Sequence, residues 1–256
     1  MAVWAIADLH LSFGVPNKEM DIFGANWKEH YNKIEANWRA KITEDDLVLI
    51  PGDISWGLKL EEAKPDLDWI DKLPGTKVLL RGNHDYWWSS LKQVAQILPP
   101  SLHVIQNNIF YWKNVCIGGS RLWDSWEYNF NKYIPYNENP ASNKLTYQEK
   151  PDDPSQRDKI FERELIRLET SLKTLDQKAD YRIAMTHYPP ISADLKPSRA
   201  SEILEEYNVN VCVFGHLHNV VHTHDPLFGT RNNVQYILTA ADYLNFDPIL
   251  LGGIAP

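Results

Sequence analysis

Residues 77–90, KVLLRGNHDYWWSS, place a dense group of polar side chains directly after a short apolar run. The run, residues 78–80, has the length and composition of a buried strand. Asn83, His84 and Asp85 follow it closely. Because α/β folds carry their functional groups beyond the carboxyl ends of strands, these three side chains mark a candidate site.

Similar apolar runs recur along the chain and predict further strands. Helical patterns of apolar residues separate several of them, over residues 27–38 and again over 160–175. Alternating strands and helices favour a layered α/β architecture. The predicted strands cover residues 3–7, 47–50, 77–80, 115–118, 182–185, 211–214 and 234–238.

The composition is that of an ordinary globular protein. The 256 residues are 43% hydrophobic and 23% charged, which excludes fibrous, disordered and disulfide-framework classes. The formal net charge of -8 repels polyanions, so we expect no long nucleic acid as a partner. Both cysteines, Cys116 and Cys212, lie in apolar runs and are expected to pack as small core residues.

One segment breaks the alternation of strands and helices. Residues 128–156 are rich in Asn, Pro and acidic side chains and show little periodicity. Loops longer than about 12 to 15 residues are commonly functional or disordered. We therefore predict a single domain over residues 1–256, with an insertion or lid at about 124–156.

The beginning of the chain has no recognisable targeting segment. Residues 1–14, MAVWAIADLHLSFG, lack a basic region and a long apolar run. No stretch approaches the ~20 apolar residues of a membrane span. A cytoplasmic location is expected by default, and the oligomeric state is left open.

Five of the apolar runs end in side chains that can bind metals. In Asp8-Leu9-His10 and His216-Leu217-His218, a spacing of two in extended chain puts both polar groups on one face. Glycines precede several of these residues, as expected where backbone turns beside a crowded centre. The candidate ligands are Asp8, His10, Asp53, Asn83, His187, His216 and His218.

The chemistry of these ligands narrows the choice of metal. Carboxylate, amide and imidazole donors without thiolate suit Mn, Fe or Zn, and they disfavour an all-oxygen calcium site. Seven ligands are too many for one ion. If Asp53 bridges, they divide between two ions ~3.5 to 4 Å apart, the arrangement that serves phosphoryl displacement.

The ordered set DLH, GD, GNHD, THYPP and GHLH resembles the five-block signature of calcineurin-like metallophosphoesterases. The blocks run from Asp8 to His218, and the chain resembles an uncharacterised bacterial branch of this superfamily described as predicted phosphohydrolases. The resemblance implies an α/β fold, a four-layer α-β-β-α sandwich of two mixed sheets flanked by helices, with the site beyond the strand ends.

The resemblance also implies a role for each matched residue. Two divalent transition-metal ions are expected, with Mn favoured over Fe and Zn, and a hydroxide between them attacks phosphorus in line. His84 is then a catalytic residue that protonates the leaving oxygen or steadies the charge of the phosphate. One ion is held by Asp8, His10, Asp53 and His218, and the other by Asp53, Asn83, His187 and His216.

The roles of neighbouring residues stay open. Asp85 orients His84 as part of the catalytic group, or it caps a helix that begins near Tyr86. Phosphoprotein phosphatases of this superfamily bind phosphate with an arginine that follows the second block. No arginine closely follows Asp53 in this chain, so Arg81 or Arg121 could take that role. Trp123 and Trp126 are candidates for a substrate wall. His30 and Asp242 lie outside the five blocks and receive no role.

The main hypothesis is a hydrolase of a small-molecule phosphodiester or phosphomonoester. A nucleotide-sugar or lipid pyrophosphatase is the alternative within the same chemistry. A metal-stabilised binding scaffold without turnover is the alternative from another class, and a complete ligand set together with His84 argues against it. The excess of acidic over basic residues disfavours a nuclease, since proteins that bind along a phosphate backbone rely on Lys and Arg.

Overall fold

The computed structural model of the chain describes residues 2–16, 18–134, 154–175, 179–221 and 227–252. Eleven strands and five helices lie in this part of the chain, with two short 3-10 turns before the first helix. The strands are β1 (Val3–Ala5), β2 (Leu47–Pro51), β3 (Thr76–Leu80), β4 (Leu102–Ile105), β5 (Phe110–Trp112), β6 (Val115–Gly119), β7 (Tyr181–Met185), β8 (Val211–Phe214), β9 (Gly229–Arg231), β10 (Val234–Leu238) and β11 (Ile249–Leu250). The helices are α1 (His30–Lys41), α2 (Leu60–Asp71), α3 (Leu91–Ile97), α4 (Pro154–Leu172) and α5 (Arg199–Glu206).

The strands form two mixed sheets. The first has the order β11-β1-β2-β3-β4, with β11 antiparallel to four parallel strands. The second has the order β5-β6-β7-β8-β10-β9, with antiparallel β5 and β9 at its two edges. Helices flank the sheets, so the predicted fold class is confirmed. All seven apolar runs that predicted strands form them.

Alternation along the strands builds a core on each face of the first sheet. In β2, Leu47 and Leu49 pack against the second sheet, whereas Val48 and Ile50 pack under α1 and α2. All five residues of β2 are buried, as expected for a parallel strand covered on both faces. The buried side chains of α4 and α5 cover the outer face of the second sheet in the same way. The molecule is therefore layered as helix, sheet, sheet and helix.

The two sheets are joined near the ends of their parallel strands. Ala7, after β1, donates its backbone N–H to Thr239 and accepts that of Ala241, both of which follow β10. The loop after β1 also runs along the loop after β2, because His10 donates to the carbonyl of Asp53. These backbone bonds bring the exits of both sheets to one edge of the sandwich.

Four sequence predictions concern parts of the chain away from this edge. Cys116 and Cys212 are buried in the core, as expected. Of the predicted insertion, residues 124–134 are described and residues 135–153 lie outside the described part. The single-domain assignment stays a prediction. No helix in the described part of the chain is long and apolar enough to cross a membrane.

Candidate metal centre

Four of the predicted ligands converge on one point between the sheets. One ligand atom from each of Asp8, His10, Asp53 and His218 lies within 4.8 Å of the others. The Nε2 atoms of His10 and His218 are 3.2 Å apart, and the Nε2 of His10 is 3.7 Å from Oδ2 of Asp53. All except His218 are almost fully buried. This is the group that the resemblance assigns to one ion.

A second group shares Asp53 with the first. Oδ2 of Asp53 lies 3.4 Å from Nε2 of His187, and the same nitrogen lies 2.6 Å from Oδ1 of Asn83. Nδ1 of His216 approaches that amide oxygen at 3.0 Å. The predicted division of seven ligands into two sets that share Asp53 is therefore geometrically coherent. Their role as ligands stays a prediction.

Hydrogen bonds fix which ring nitrogen faces the centre in two of the histidines. His187 donates its Nδ1–H to the carbonyl of Pro51 at 3.0 Å, and His218 donates its Nδ1–H to Asp242 at 2.9 Å. The Nε2 atoms of both rings are thereby presented to the carboxylates. Partners of this kind set the tautomer and basicity of metal-binding imidazoles.

The buried carboxylates of the centre favour the presence of positive charge beside them. Burial raises the pKa of Asp8 to about 7. Burial lowers the pKa of His187, but the charge of Asp53 outweighs burial and raises this pKa to about 9. Burial also lowers the pKa of His218, but the hydrogen bond to Asp242 and nearby carboxylates raise it to about 9. Without a metal ion, protons on these two imidazoles supply positive charge to the centre. A bound divalent ion would displace those protons and supply the positive charge instead.

The backbone at the ligand positions is strained. Asp8, His10, Asp53 and His216 have φ of 58°, 44°, 52° and 72°, in the left-handed region that residues other than glycine rarely adopt. Each such residue costs on the order of 1–3 kcal/mol and persists only where the surroundings enforce it. Strain at four of the seven candidate ligands is the pattern expected of a functional site.

Three glycines lie in close contact with candidate ligands. A Cβ on Gly52 would lie 2.8 Å from Cγ of His187, and one on Gly82 would lie 2.8 Å from Cγ of Asp53. A Cβ on Gly215 would lie 3.0 Å from Cγ of Asp8. Each glycine therefore lets a ligand from a different strand end approach the backbone closely. This packing fits the donor set to a metal centre.

His84 lies beside the two groups. Its backbone N–H donates to Oδ1 of Asp53 at 2.8 Å. Its ring lies 4.7 Å from that of Trp56 and 5.7 Å from that of His10, measured between centroids. Burial lowers the pKa of its imidazole. Among the described residues the ring has no hydrogen-bond partner, so it is free to meet a substrate.

Neither of the two roles considered for Asp85 matches its position. Its carboxylate accepts the backbone N–H groups of Ile54, Ser55 and Gly82 and the indole N–H of Trp87, at 2.8 to 3.1 Å. No helix begins near Tyr86, since α3 starts at Leu91 and is capped by Ser90. The residue is fully buried, and burial raises its pKa to about 6. Asp85 ties the loop after β2 to the loop after β3; it does not orient His84.

Two residues that the sequence left without a role contact the centre from outside. Asp242 binds His218, as described above. His30, on α1, lies with its ring nitrogens 2.9 Å from the carbonyl of Leu9 and 3.1 Å from that of Trp27. Asp242 follows β10 closely, so the rule that polar residues follow buried strands would have found it. Nothing in the sequence pattern points to His30.

A large cavity opens beside His216 and His218. Its volume is about 900 Å³, and its wall includes the predicted Trp123 together with Tyr128, Phe130 and Tyr188. Trp126 is not part of this wall and is 71% exposed. Arg81 and Arg121 line a different and smaller cavity. Arg81 and Arg121, which were predicted to contact substrate phosphate, therefore do not line the large cavity.

A comparison with one solved structure agrees with this architecture. The phosphopantetheinyl hydrolase of Mycobacterium tuberculosis is similar in fold, with a TM-score of 0.53 at 15% identity, over 93% of this chain and 88% of that protein. A protein of unknown function from Aquifex aeolicus gives a TM-score of 0.49 at 14% identity, over 97% and 95% of the two chains.

Sequence comparison identifies the family. Gene 66 protein of Mycobacterium phage D29 is 32% identical over 83 residues, which are 32% of this chain. The chain spans only 40% of the length of that relative. The model of the calcineurin-like phosphoesterase family, in contrast, matches residues 1–220. The chain belongs to the calcineurin-like phosphoesterase family.

Proposed function

We propose that this protein is a binuclear metal-dependent phosphohydrolase that cleaves a small-molecule phosphodiester or phosphomonoester. The observation that carries the proposal is the position of Asp53. Oδ2 of its carboxylate lies 3.7 Å from Nε2 of His10, in the first group, and 3.4 Å from Nε2 of His187, in the second. A single buried carboxylate between two sets of donors suits a pair of ions that share one ligand.

Each part of the centre has a task in this proposal. Two divalent ions, Mn, Fe or Zn, would supply a nucleophile at neutral pH and neutralise charge that develops on phosphate. Asp8, His10 and His218 hold one ion with Asp53, and Asn83, His187 and His216 hold the other. His84 donates a proton to the leaving oxygen, because its imidazole lies beside both groups and is not engaged by another described residue.

The large cavity supports a substrate with an organic group attached to phosphate. About 900 Å³ lies near the upper end of the usual range for small-molecule sites, about 300–1,000 Å³. Trp123, Tyr128 and Phe130 offer flat apolar faces, which bind rings or acyl chains. This wall also favours the second candidate, a nucleotide-sugar or lipid pyrophosphatase. A small-molecule partner and a cytoplasmic location remain part of the proposal.

The test is hydrolysis of two model esters by protein loaded with Mn, Fe or Zn. Purified protein is offered an aryl phosphomonoester and a bis-aryl phosphodiester, with a diaryl pyrophosphate as the third substrate. Asp53→Asn is expected to lower turnover more than about 100-fold, because residues that only support ligands account for about 10–100-fold. Asp247→Asn, which changes a carboxylate paired with Lys41 at the surface, serves as the control.

The three substrates separate the candidate functions. Faster turnover of the diester supports a phosphodiesterase, and turnover of the pyrophosphate alone supports the second candidate. If two metal ions bind and no substrate is cleaved under any metal, the proposal fails and a binding scaffold explains the centre better.

A further inference from the structure

A second, smaller cavity lies away from the wall of the large one. Its volume is about 40 Å³, enough for one small ion or a few waters. Arg81, which follows β3, and Arg121, which follows β6, both line it, and so does Arg167 of α4. None of its lining residues belongs to the wall of the large cavity.

The positive charge at this cavity exceeds the negative charge. The only carboxylate in its wall is that of Glu164, which is 1% exposed. Arg167 occupies that carboxylate through an ion pair of 2.5 Å. Among the described residues, neither Arg81 nor Arg121 forms an ion pair within 4 Å, although the charge of Glu164 acts on Arg121.

The side chains of the two arginines also make no hydrogen bond with the described residues. Nε of Arg81 is buried and has no hydrogen-bond partner in the described part of the chain. Arg121 packs its guanidinium against the ring of Trp123, 4.6 Å from the centroid. Burial lowers the pKa of Arg121; the charge of Glu164 opposes this shift, and the charges of Arg81 and Arg167 add to it. Both arginines are half-buried, and removing a cation from water is costly unless an anion accompanies it.

Two other polar side chains of the wall make hydrogen bonds elsewhere. The hydroxyl of Ser120 donates to the carbonyl of Glu164, and the side-chain oxygen of Gln106 accepts the indole N–H of Trp88. The guanidinium groups of Arg81 and Arg121 are therefore charged donors available to the cavity, beside the neutral amides of Gln106 and Asn107. Guanidinium groups present several donors in a fixed plane and match the oxygens of phosphate.

We propose that Arg81, Arg121 and Arg167 form an anion site, separate from the metal centre, that binds a phosphate group. The group comes from free inorganic phosphate or from a phosphoryl group on a larger compound. The site lies next to the metal centre along the chain, since Arg81 precedes Asn83 by two residues and the carbonyl of Arg121 accepts the backbone N–H of His187 at 3.1 Å.

The experiment is a calorimetric titration of the metal-loaded protein with inorganic phosphate, at constant ionic strength and in a buffer without other oxyanions. Wild type is compared with Arg81→Gln, Arg121→Gln and Asp53→Asn. Arg39→Gln is the matched control, because it removes the same charge from an exposed arginine paired with Glu35. Arg81→Lys keeps the charge and protects the test against misfolding of the glutamine variants.

The expected result has two parts. One component of phosphate binding survives in Asp53→Asn and is weakened at least about tenfold, or about 1.4 kcal/mol, by each glutamine substitution. The same component is unchanged in Arg39→Gln and keeps part of its affinity in Arg81→Lys. A parallel titration with phenyl phosphate separates the two sources: binding at this component indicates a phosphoryl group on a larger compound, and its absence indicates free phosphate.

Two results would overturn the proposal. One is the loss of all phosphate binding in Asp53→Asn, which would place every bound phosphate at the metal centre. The other is equal affinity in wild type and both glutamine variants. The hydrolysis assay of Asp53→Asn is independent of this titration, so failure of the anion site leaves the proposed phosphohydrolase activity to be judged separately.

Discussion

Nδ1 of His218 lies 2.9 Å from Oδ1 of Asp242, and the other oxygen of this carboxylate accepts the backbone N–H of Asn219 at 2.8 Å. One side chain thus fixes both the ring of His218 and the backbone beside it. The hydrogen bond holds the proton on Nδ1 and leaves Nε2 for the centre. Asp242 is therefore a positioning residue for a candidate ligand.

Replacing Asp242 by Asn is expected to weaken metal binding by about 10–100-fold, the usual cost of losing the partner of a metal-binding imidazole. An amide is a weaker acceptor for the Nδ1–H of His218 and does not raise the basicity of its Nε2 as the carboxylate does. The measurement is competition with a chelator of known affinity. Asp247→Asn is the control at an exposed carboxylate. Equal affinity in both variants would refute the positioning role.

Metal binding is expected to release protons, and its affinity is expected to rise with pH. The pKa of His187 and that of His218 are raised to about 9, so both imidazoles carry protons at neutral pH before metal binds. Because a ligand must lose its proton, protons compete with the ion below about pH 9, and the competition fades above it. Calorimetry in two buffers of different ionisation enthalpy measures the proton release. A pH-independent affinity between pH 6 and 9 would contradict this assignment.

Gly215→Ala is expected to prevent assembly of the centre. The new Cβ would lie 2.7 Å from Cβ of Ala7 and closer still to the carboxylate of Asp8. Because φ at Gly215 is not in the left-handed region, the effect is steric and not conformational. Metal content and thermal stability are the measurements. Gly252→Ala, where a Cβ meets nothing within 4 Å, should behave as wild type.

His84→Ala is expected to lower turnover by about 10²–10⁴-fold, the range for loss of a general acid. The loss should be greater for an alkyl ester than for a nitrophenyl ester, because the poorer leaving group needs the proton more. Metal content should stay unchanged, since the contact of His84 with Asp53 is made by its backbone. His103→Ala, a half-buried histidine on β4 that packs on Phe110, is the control. Equal losses for both esters would exclude the acid role.

Asp85→Asn is expected to reduce stability more than activity per folded molecule. All four hydrogen bonds of the carboxylate are accepted ones, and an amide nitrogen cannot accept any of them. A buried donor left unsatisfied costs about 1–3 kcal/mol. Chemical unfolding of wild type and variant measures the loss. A normal stability with abolished turnover would instead restore the catalytic role considered from the sequence.

The strands that carry the candidate ligands were predictable because each is a run of buried residues with a polar end. The run 77–80 matches β3 within one residue, and 211–214 matches β8 at both ends. Edge strands such as β5 and β9 were missed, because they are three residues long and only half buried. Their identity depends on the neighbour to which they bond, which local sequence does not encode.

The chemistry of the centre was more predictable than its backbone. Asp8 and His10 could be paired from their spacing, which assumed extended chain. Both residues adopt positive φ instead, because hydrogen bonds to Gly52 and Asp53 hold the loop in place. The position of Asp85 depends on two loops, after β2 and after β3, that meet only in the folded chain. Such contacts between distant segments are outside the reach of periodicity and spacing.

The origin of the ligands has a consequence for synthesis on the ribosome. Four ligands follow strands of the first sheet, and three follow strands of the second, ending at His218. β11, which completes the edge of the first sheet beside β1, comes later still at Ile249–Leu250. A nascent chain can therefore display Asp8 and Asp53 long before their partners emerge. If these residues bind metal as proposed, the group of Asp8, His10, Asp53 and His218 can hold its ion only after His218 has been synthesised, late in the synthesis of the chain.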